Sequence, residues 1–303
     1  MGQFVCLLAT LVAAIAFVQR TTGAPAFAID PGKAVCFSII QVKTFLSLLS
    51  VHPSAFSEQY DNFEKPELLE GDIAGFGKYR TAKEAIEALS SGVDRNGYYS
   101  FKWENKILYY TISIRFIDWE RERIHRAIED INNHTTGLRL VERTDATVQR
   151  NYVHIQRGGP NTGCWSYVGQ IGERQFLNLE VPAYPTAPHC VHHGTIMHEL
   201  IHAIGFFHEQ SRTDRDEYVD INWDNIEKHQ QHNFEKYDSS VITAYGQPYD
   251  HSSLMHYGMY DFAINRSIWT IRPKPLWEDI EIGKAQNMSE VDINKINLMY
   301  PPQ

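Results

Sequence analysis

The sequence of 303 residues predicts an α+β fold. Short β-rich runs such as "KILYYTISI" lead the second two thirds of the chain, helical patterns are mixed among them, and no internal repeat or low-complexity tract interrupts the order. The length allows one large domain with an appendage or two ordinary domains, and 43% hydrophobic against 21% charged residues describes a chain that can bury a sizeable core.

The N-terminus, "MGQFVCLLATLVAAIAFVQRTTGAPA", holds an apolar run from Phe4 to Val18, short for a membrane span and followed by the small residues Thr21 and Gly23, with a short anchoring span as the alternative reading. Residues 1–23 are therefore expected to be a secretory signal peptide, and the protein to be extracellular. Residues 24–95 form a separate compositional zone. Within it "AVCFSIIQVKTFLSLLSV" suggests an amphipathic helix, and "TAKEAIEALSSG" a short helix closed by Gly92.

From residue 103 onward the signals strengthen. "KILYYTISI" suggests a strand, and "DWERERIHRAIEDINNHTTG" a helix capped by Asp118 with Ile124, Ala127, Ile128 and Ile131 on one stripe. "YVHIQ", "CWSYVG" and "FLNLEV" have the aromatic and β-branched content of further strands. The last element, "SEVDINKINLMY", predicts a helix capped by Ser289 with Ile293, Ile296 and Met299 or Tyr300 facing inward.

A formal net charge of −9 and the absence of a Lys/Arg block exclude nucleic acid and an anionic membrane surface as expected partners. Removing the leader would take Cys6 and leave Cys36, Cys164 and Cys190, an odd number in an oxidising compartment, with Cys36 expected to stay unpaired. The sequons at Asn133, Asn265 and Asn287 fit secretion and glycosylation.

The chemistry is concentrated in "HELIHAIGFFHEQSRTDRD", residues 198–216. Positions four apart on a helix face the same way, so His198 and His202 can offer two imidazole nitrogens to one ion. Gly205 lets the chain leave the helix, which can bring His208 to a third corner and leave a fourth position of a tetrahedral zinc for water. Glu199 lies about 100° around the helix from His198, out of reach of the same ion but able to reach that water. Zinc lowers the water pKa from 15.7 to about 7, and a nearby carboxylate can take its proton and return it to a departing amine. These residue types spell amide hydrolysis. The remaining histidines, among them His192, His193, His229, His232, His251 and His256, show no comparable spacing and are expected to be structural or superficial.

HExxHxxGxxH is the signature of the metzincins, and Glu209 after the third histidine, with "SRTDRDEYVDINWDNI", resembles the astacin family specifically. "SLMHYGMYDF", "GCWSYVG", "TIRPK" and "DINKINLMY" extend the resemblance from about Trp103 to Tyr300. The resemblance implies a metzincin-type catalytic domain over residues 96–303, with two subdomains separated by a substrate cleft: an N-terminal twisted mixed sheet with long helices, and a C-terminal, mostly irregular part with the terminal helix. It implies a zinc metalloendopeptidase, a hydrolase acting on protein or peptide substrates. One zinc would be bound by His198, His202 and His208. Glu199 would be general base and acid, and Tyr257 a zinc ligand that swings off to hydrogen-bond the oxyanion. Met255 would lie beneath the metal, Glu209 would pair with the α-amino group of the mature chain, and Cys164 would bridge to Cys190.

The resemblance also implies that residues 24–95 are an inhibitory propeptide. Its FxGD motif reads "LEGD" here, and Asp72 would hold the zinc until a trypsin-like protease cuts after Arg95 to free Asn96, with Arg80 a weaker site. A second, outer disulfide of the family is missing, because its two positions read Gly137 and Pro302, and the terminal helix is expected to fray more easily. "EVPAYPTAPH" before Cys190 is longer than the family's link, and substrate is expected to pair with an edge strand at residues 175–181. No EGF-like or CUB-like pattern follows, so a single catalytic domain behind its propeptide is expected.

Overall fold

A computed structural model of the chain describes residues 4–7, 35–38, 60–61, 65–76, 79, 84, 102–184, 187–237 and 243–302. The chain divides into two units, Met1–Gln59 and Tyr60–Gln303. In the first, β1 (Phe4–Leu7) pairs antiparallel with β2 (Val35–Ser38), so the start of the stretch expected to be an amphipathic helix is a strand instead. The short run "VCFS" is β-branched and aromatic, and a run of that length carries no period that separates the two states. The helix expected at residues 81–92, the cut after Arg95 and the side chain of Cys36 lie outside the described residues.

In the second unit the two-residue period of "ILYYTI" builds β4 (Ile107–Ile112), whose residues alternate between half-buried and buried. It lies in a six-stranded mixed sheet with β3 (Ile73–Phe76), β5 (Arg139–Glu142), β6 (Tyr152–Gly158), β7 (Cys164–Val168) and β8 (Arg174–Glu180), in the order β3-β7-β8-β6-β4-β5. Only the β7–β8 pairing is antiparallel. β8 is therefore an interior strand, not the expected edge at residues 175–181. Residues 102–302 leave β7 and β5 as edges, and β3 covers β7 in parallel register, Ile73 opposite Ser166 and Phe76 opposite Val168. Strand β5 has no counterpart among the sequence expectations, because "RLVE" offers only four residues of alternation.

Helix α1 (Asp118–His134) buries Ile124, Ala127, Ile128 and Ile131, the predicted stripe. Asp118 is its first residue, not its cap. Ile117 holds the cap position, and its N–H donates to Glu120 Oε2 at 3.0 Å. The buried Glu120 also accepts two bonds from Arg157, at 2.8 and 2.9 Å, tying the start of α1 to the end of β6. Helix α2 (His193–Ile204) packs against α1 and β7, and the Cys164–Cys190 bridge joins the start of β7 to the segment entering α2.

Helix α3 (Glu290–Met299) starts as predicted, with Ser289 Oγ accepting from Asp292 N–H at 2.9 Å. Ile296, Met299 and Tyr300 join the main core with α1, α2 and the sheet, so the terminal helix packs with the N-terminal layer. The absent outer bridge is replaced by close approach. A Cβ on Gly137 would lie 1.8 Å from the Tyr300 carbonyl oxygen, so only glycine fits there. Thr136 N–H donates to Asn297 Oδ1 at 2.7 Å, and Tyr300 O–H donates to the Ile204 carbonyl at 2.8 Å. These contacts tie the end of α3 to its neighbours where the outer bridge is missing. A second, smaller core of Val219, Ile226, Phe234, Tyr249, Tyr257, Ile271 and Ile282 supports the C-terminal half, where β9 (Val219–Ile221) pairs with β10 (Ile271–Pro273). No helix among the described residues is long and apolar enough to cross a membrane.

Candidate metal centre

The four-residue spacing places His198 and His202 on one face of α2, and the helix stops three residues later. Gly205 takes φ 135°, a value side chains resist, and its N–H closes on the Ile201 and His202 carbonyls. The chain then turns so that His208 faces the other two. The Nε2 atoms of His202 and His208 lie 3.1 and 3.2 Å from His198 Nε2.

Each ring is oriented through its other nitrogen. Nδ1 of His198 donates to the Leu254 carbonyl at 2.9 Å, Nδ1 of His202 to the Phe206 carbonyl at 2.7 Å, and Nδ1 of His208 to Glu70 Oε2 at 2.5 Å. With every Nδ1 carrying its proton, three Nε2 lone pairs converge on one point. Their spacing matches the roughly 3.3 Å between corners of a tetrahedron with zinc–nitrogen bonds of about 2.05 Å. Asp72 supplies a fourth donor, its carboxylate oxygens lying 3.2 Å from His198 Nε2, 3.5 Å from His202 Nε2 and 3.3 Å from His208 Nε2. The four donor atoms all lie within 4.8 Å of one another. Neutral imidazoles with converging lone pairs repel unless a cation sits between them, so the donor set fits zinc.

Asp72 reaches this point on a tight hairpin. Leu69 and Ile73 exchange two backbone hydrogen bonds of 2.8 Å, and Glu70 and Gly71 take φ 50° and 81° between them. A Cβ on Gly71 would lie 2.5 Å from Phe262 Cζ, so any other residue would have to push that ring aside as well as hold a φ of 81°. The turn aims both Glu70 and Asp72 into the centre. Burial would raise the Asp72 pKa, but the neighbouring His208, His202 and His198 rings hold it well below the carboxylate range, so it faces them as a carboxylate. Burial pulls His202 down to about 4, against the opposing pull of Asp72. Burial lowers His208, but Asp72 and Glu70 draw a proton onto the ring and raise it to about 10, and that proton and a zinc ion compete for the same Nε2 atom.

Glu199, one residue after the first ligand, is buried, and its Oε2 has no hydrogen-bond partner. Burial, and then the Asp72 charge, raise its pKa well above the carboxylate range. It lines a cavity of about 620 Å³ together with Asp72, His198, His208, Tyr257 and Arg266. The Tyr257 ring packs on His208 at 4.7 Å, and its hydroxyl donates to the Glu70 carbonyl at 2.5 Å. Burial and the Glu70 and Asp72 charges raise the Tyr257 pKa, which keeps it a proton donor.

Met255 is buried in the main core, and its carbonyl accepts from Glu209 N–H at 2.9 Å. The segment Leu254–Met255 thus braces both His198 and the residue after His208. Glu209 does not wait for an α-amino group in the full chain. Its Oε1 accepts from Arg212 at 2.9 Å and from Asp250 N–H at 3.0 Å, and its Oε2 is paired with the buried Lys295 of α3. In the full chain Lys295 provides the buried cation beside Glu209, and the expected pairing with the α-amino group belongs to the processed chain. The sequence pattern gave no sign of Glu70, Ser211 or Lys295. Only the glycine of "LEGD", which marks a turn able to bring two acids together, offered a hint.

The family model described as Astacin, a peptidase family, matches residues 96–301. Zinc metalloproteinase nas-13 of Caenorhabditis elegans is 38% identical over 242 residues, covering 78% of this chain and 50% of that protein. The chain spans 39% of the length of nas-15 of the same organism, also 38% identical. Low choriolytic enzyme of Oryzias latipes is 35% identical over 245 residues, 79% of this chain and 80% of that protein. Among solved structures, high choriolytic enzyme 1, a hatching enzyme zinc-protease from Oryzias latipes, superposes with a TM-score of 0.58 at 36% identity, covering 67% of this chain and 94% of that one.

Proposed function

The chain belongs to the astacin family of peptidases, and on that premise we propose that it is a secreted, zinc-dependent endopeptidase made as a zymogen. The observation that carries this reading is the convergence of His198, His202, His208 and Asp72 beside an unpaired, buried Glu199 oxygen. When bound, zinc supplies the positive charge that acidifies a water and polarises a substrate carbonyl. The three imidazoles hold it, each fixed through its Nδ1. Glu199 takes the proton of the attacking water and passes it to the leaving amine. Its raised pKa in the full chain reflects burial beside the Asp72 carboxylate and falls when Asp72 departs, which leaves the carboxylate able to act as base. Tyr257, released from the Glu70 carbonyl, is placed to donate its hydroxyl proton to the oxyanion.

Residues 1–23 act as signal peptide, 24–95 as inhibitory propeptide and 96–303 as peptidase domain. The family match beginning at residue 96 supports a cut after Arg95 by a trypsin-like protease. Asp72 fills the fourth position until then, and β3 lies along β7, the edge on which a substrate backbone would add as a strand. The Cys164–Cys190 bridge and the exposed Asn133, Asn265 and Asn287 support passage through an oxidising compartment. Treating the full chain with trypsin and following casein cleavage with and without a zinc chelator tests this reading. Activity should appear on processing, with Asn96 as the new N-terminus, and vanish with chelator. Full activity before processing would overturn the zymogen, and chelator-resistant activity would overturn the zinc mechanism.

A further inference from the structure

The Glu70 carboxylate has no part in the mechanism above, yet it is buried and bonded through both oxygens. Its side chain is 1% exposed, its Oε2 accepts from His208 Nδ1 at 2.5 Å, and its Oε1 accepts from Ser211 Oγ at 2.6 Å. Its own carbonyl accepts the Tyr257 hydroxyl. The three metal-facing imidazoles are held unequally. His198 and His202 are oriented by backbone carbonyls, Leu254 and Phe206, that belong to the peptidase domain and stay with it. His208 is oriented by a carboxylate on the hairpin Leu69–Ile73, which departs when residues 24–95 are removed.

We propose that Glu70 is a positioning residue of the unprocessed metal centre, completing a carboxylate–imidazole–metal relay through His208. A carboxylate on the distal nitrogen fixes the tautomer, locks the ring and makes the facing nitrogen a better donor than a carbonyl would. The hairpin thus grips the metal twice, directly through Asp72 and at one remove through Glu70. The unprocessed chain retains its metal more tightly than ligation by Asp72 alone provides, and processing loosens the third histidine. The inference rests on the reading of Asp72 and the histidines as the zinc site.

The test is zinc release from the zinc-loaded full chain to excess chromogenic chelator, comparing wild type, Glu70→Gln and Asp72→Asn. Glu70→Gln should release zinc about 10- to 100-fold faster. It should still cleave casein no faster than the unprocessed wild type, because Asp72 remains in place. After trypsin processing the two proteins should release zinc at one rate, since neither then carries residue 70. Wild-type release from folded Glu70→Gln would overturn the proposal. So would casein cleavage before processing at the processed rate, which would mean that Glu70 only docks the hairpin. If Glu70→Gln does not fold, Ser211→Ala decides: it keeps the carboxylate but frees it, and release should quicken a few fold, wild-type release again overturning the idea. Failure of the underlying reading would show separately, as a wild-type chain that binds no zinc or gains no activity on processing.

Discussion

Lys295→Met should destabilise the chain through a carboxylate 86 residues away in sequence. Lys295 and Glu209 are each 5% exposed, and they pair directly between α3 and the residue after His208. Removing one partner of a buried ion pair costs about 3–5 kcal/mol, because the other charge is left desolvated. Here Arg212 and the Asp250 N–H still serve Glu209, at 2.9 and 3.0 Å, and reduce the expected loss to roughly 2–3 kcal/mol. For a folded unit of about 200 residues this lowers Tm by roughly 4–12 °C. Differential scanning calorimetry on the full chain measures it, and a double-mutant cycle with Glu209→Gln isolates the pair. The coupling energy should be at least ~1 kcal/mol, as for groups in direct contact. Additive effects, or a Lys295→Met Tm equal to wild type, would refute the claim that Lys295 neutralises Glu209.

Gly71→Ala strains a φ of 81° and drives a Cβ to 2.5 Å from the Phe262 ring, at a cost of about 2 kcal/mol or more. The hairpin should release about 30-fold more readily, seen as casein cleavage by the unprocessed chain. Cys164→Ser with Cys190→Ser should lower stability in denaturant unfolding by up to about 3.5 kcal/mol, the loop entropy of a 26-residue separation. Burial holds His256 neutral with its pKa depressed to about 3, while the unfolded chain takes up the proton near 6.5. Its contribution is therefore whole above pH 6.5 and is lost as pH falls from 6.5 towards 3. Unfolding temperature should fall across that window, and His256→Asn should flatten the slope.

The helix face of the metal centre was legible in the sequence because its period is local. His198 and His202 follow the helical repeat, and Gly205 marks the exit that frees His208. The groups that orient those rings were not legible. Two are backbone carbonyls, Leu254 and Phe206, that no side-chain pattern announces. The third, Glu70, is 138 residues away and sits in a motif whose glycine and aspartate drew the reading. Strand order was equally hidden. "FLNLEV" is apolar enough for a strand, but whether β8 lies at an edge or between β6 and β7 depends on pairings made by distant segments. Its near-continuous burial, with Leu177, Asn178 and Leu179 all buried, is the mark of an interior strand. Lys295 illustrates the same limit, since a lysine on an amphipathic helix reads as solvent-facing until a buried partner from another element is known.

Glu199 is expected to move the proton while the three histidines only hold the metal. The direct measurement is zinc content and casein cleavage on the same trypsin-processed samples of wild type and Glu199→Ala. One zinc per chain in both, with cleavage reduced about 10²- to 10⁴-fold in Glu199→Ala, is the predicted result. Cleavage by Glu199→Ala at the wild-type rate with zinc retained would contradict it.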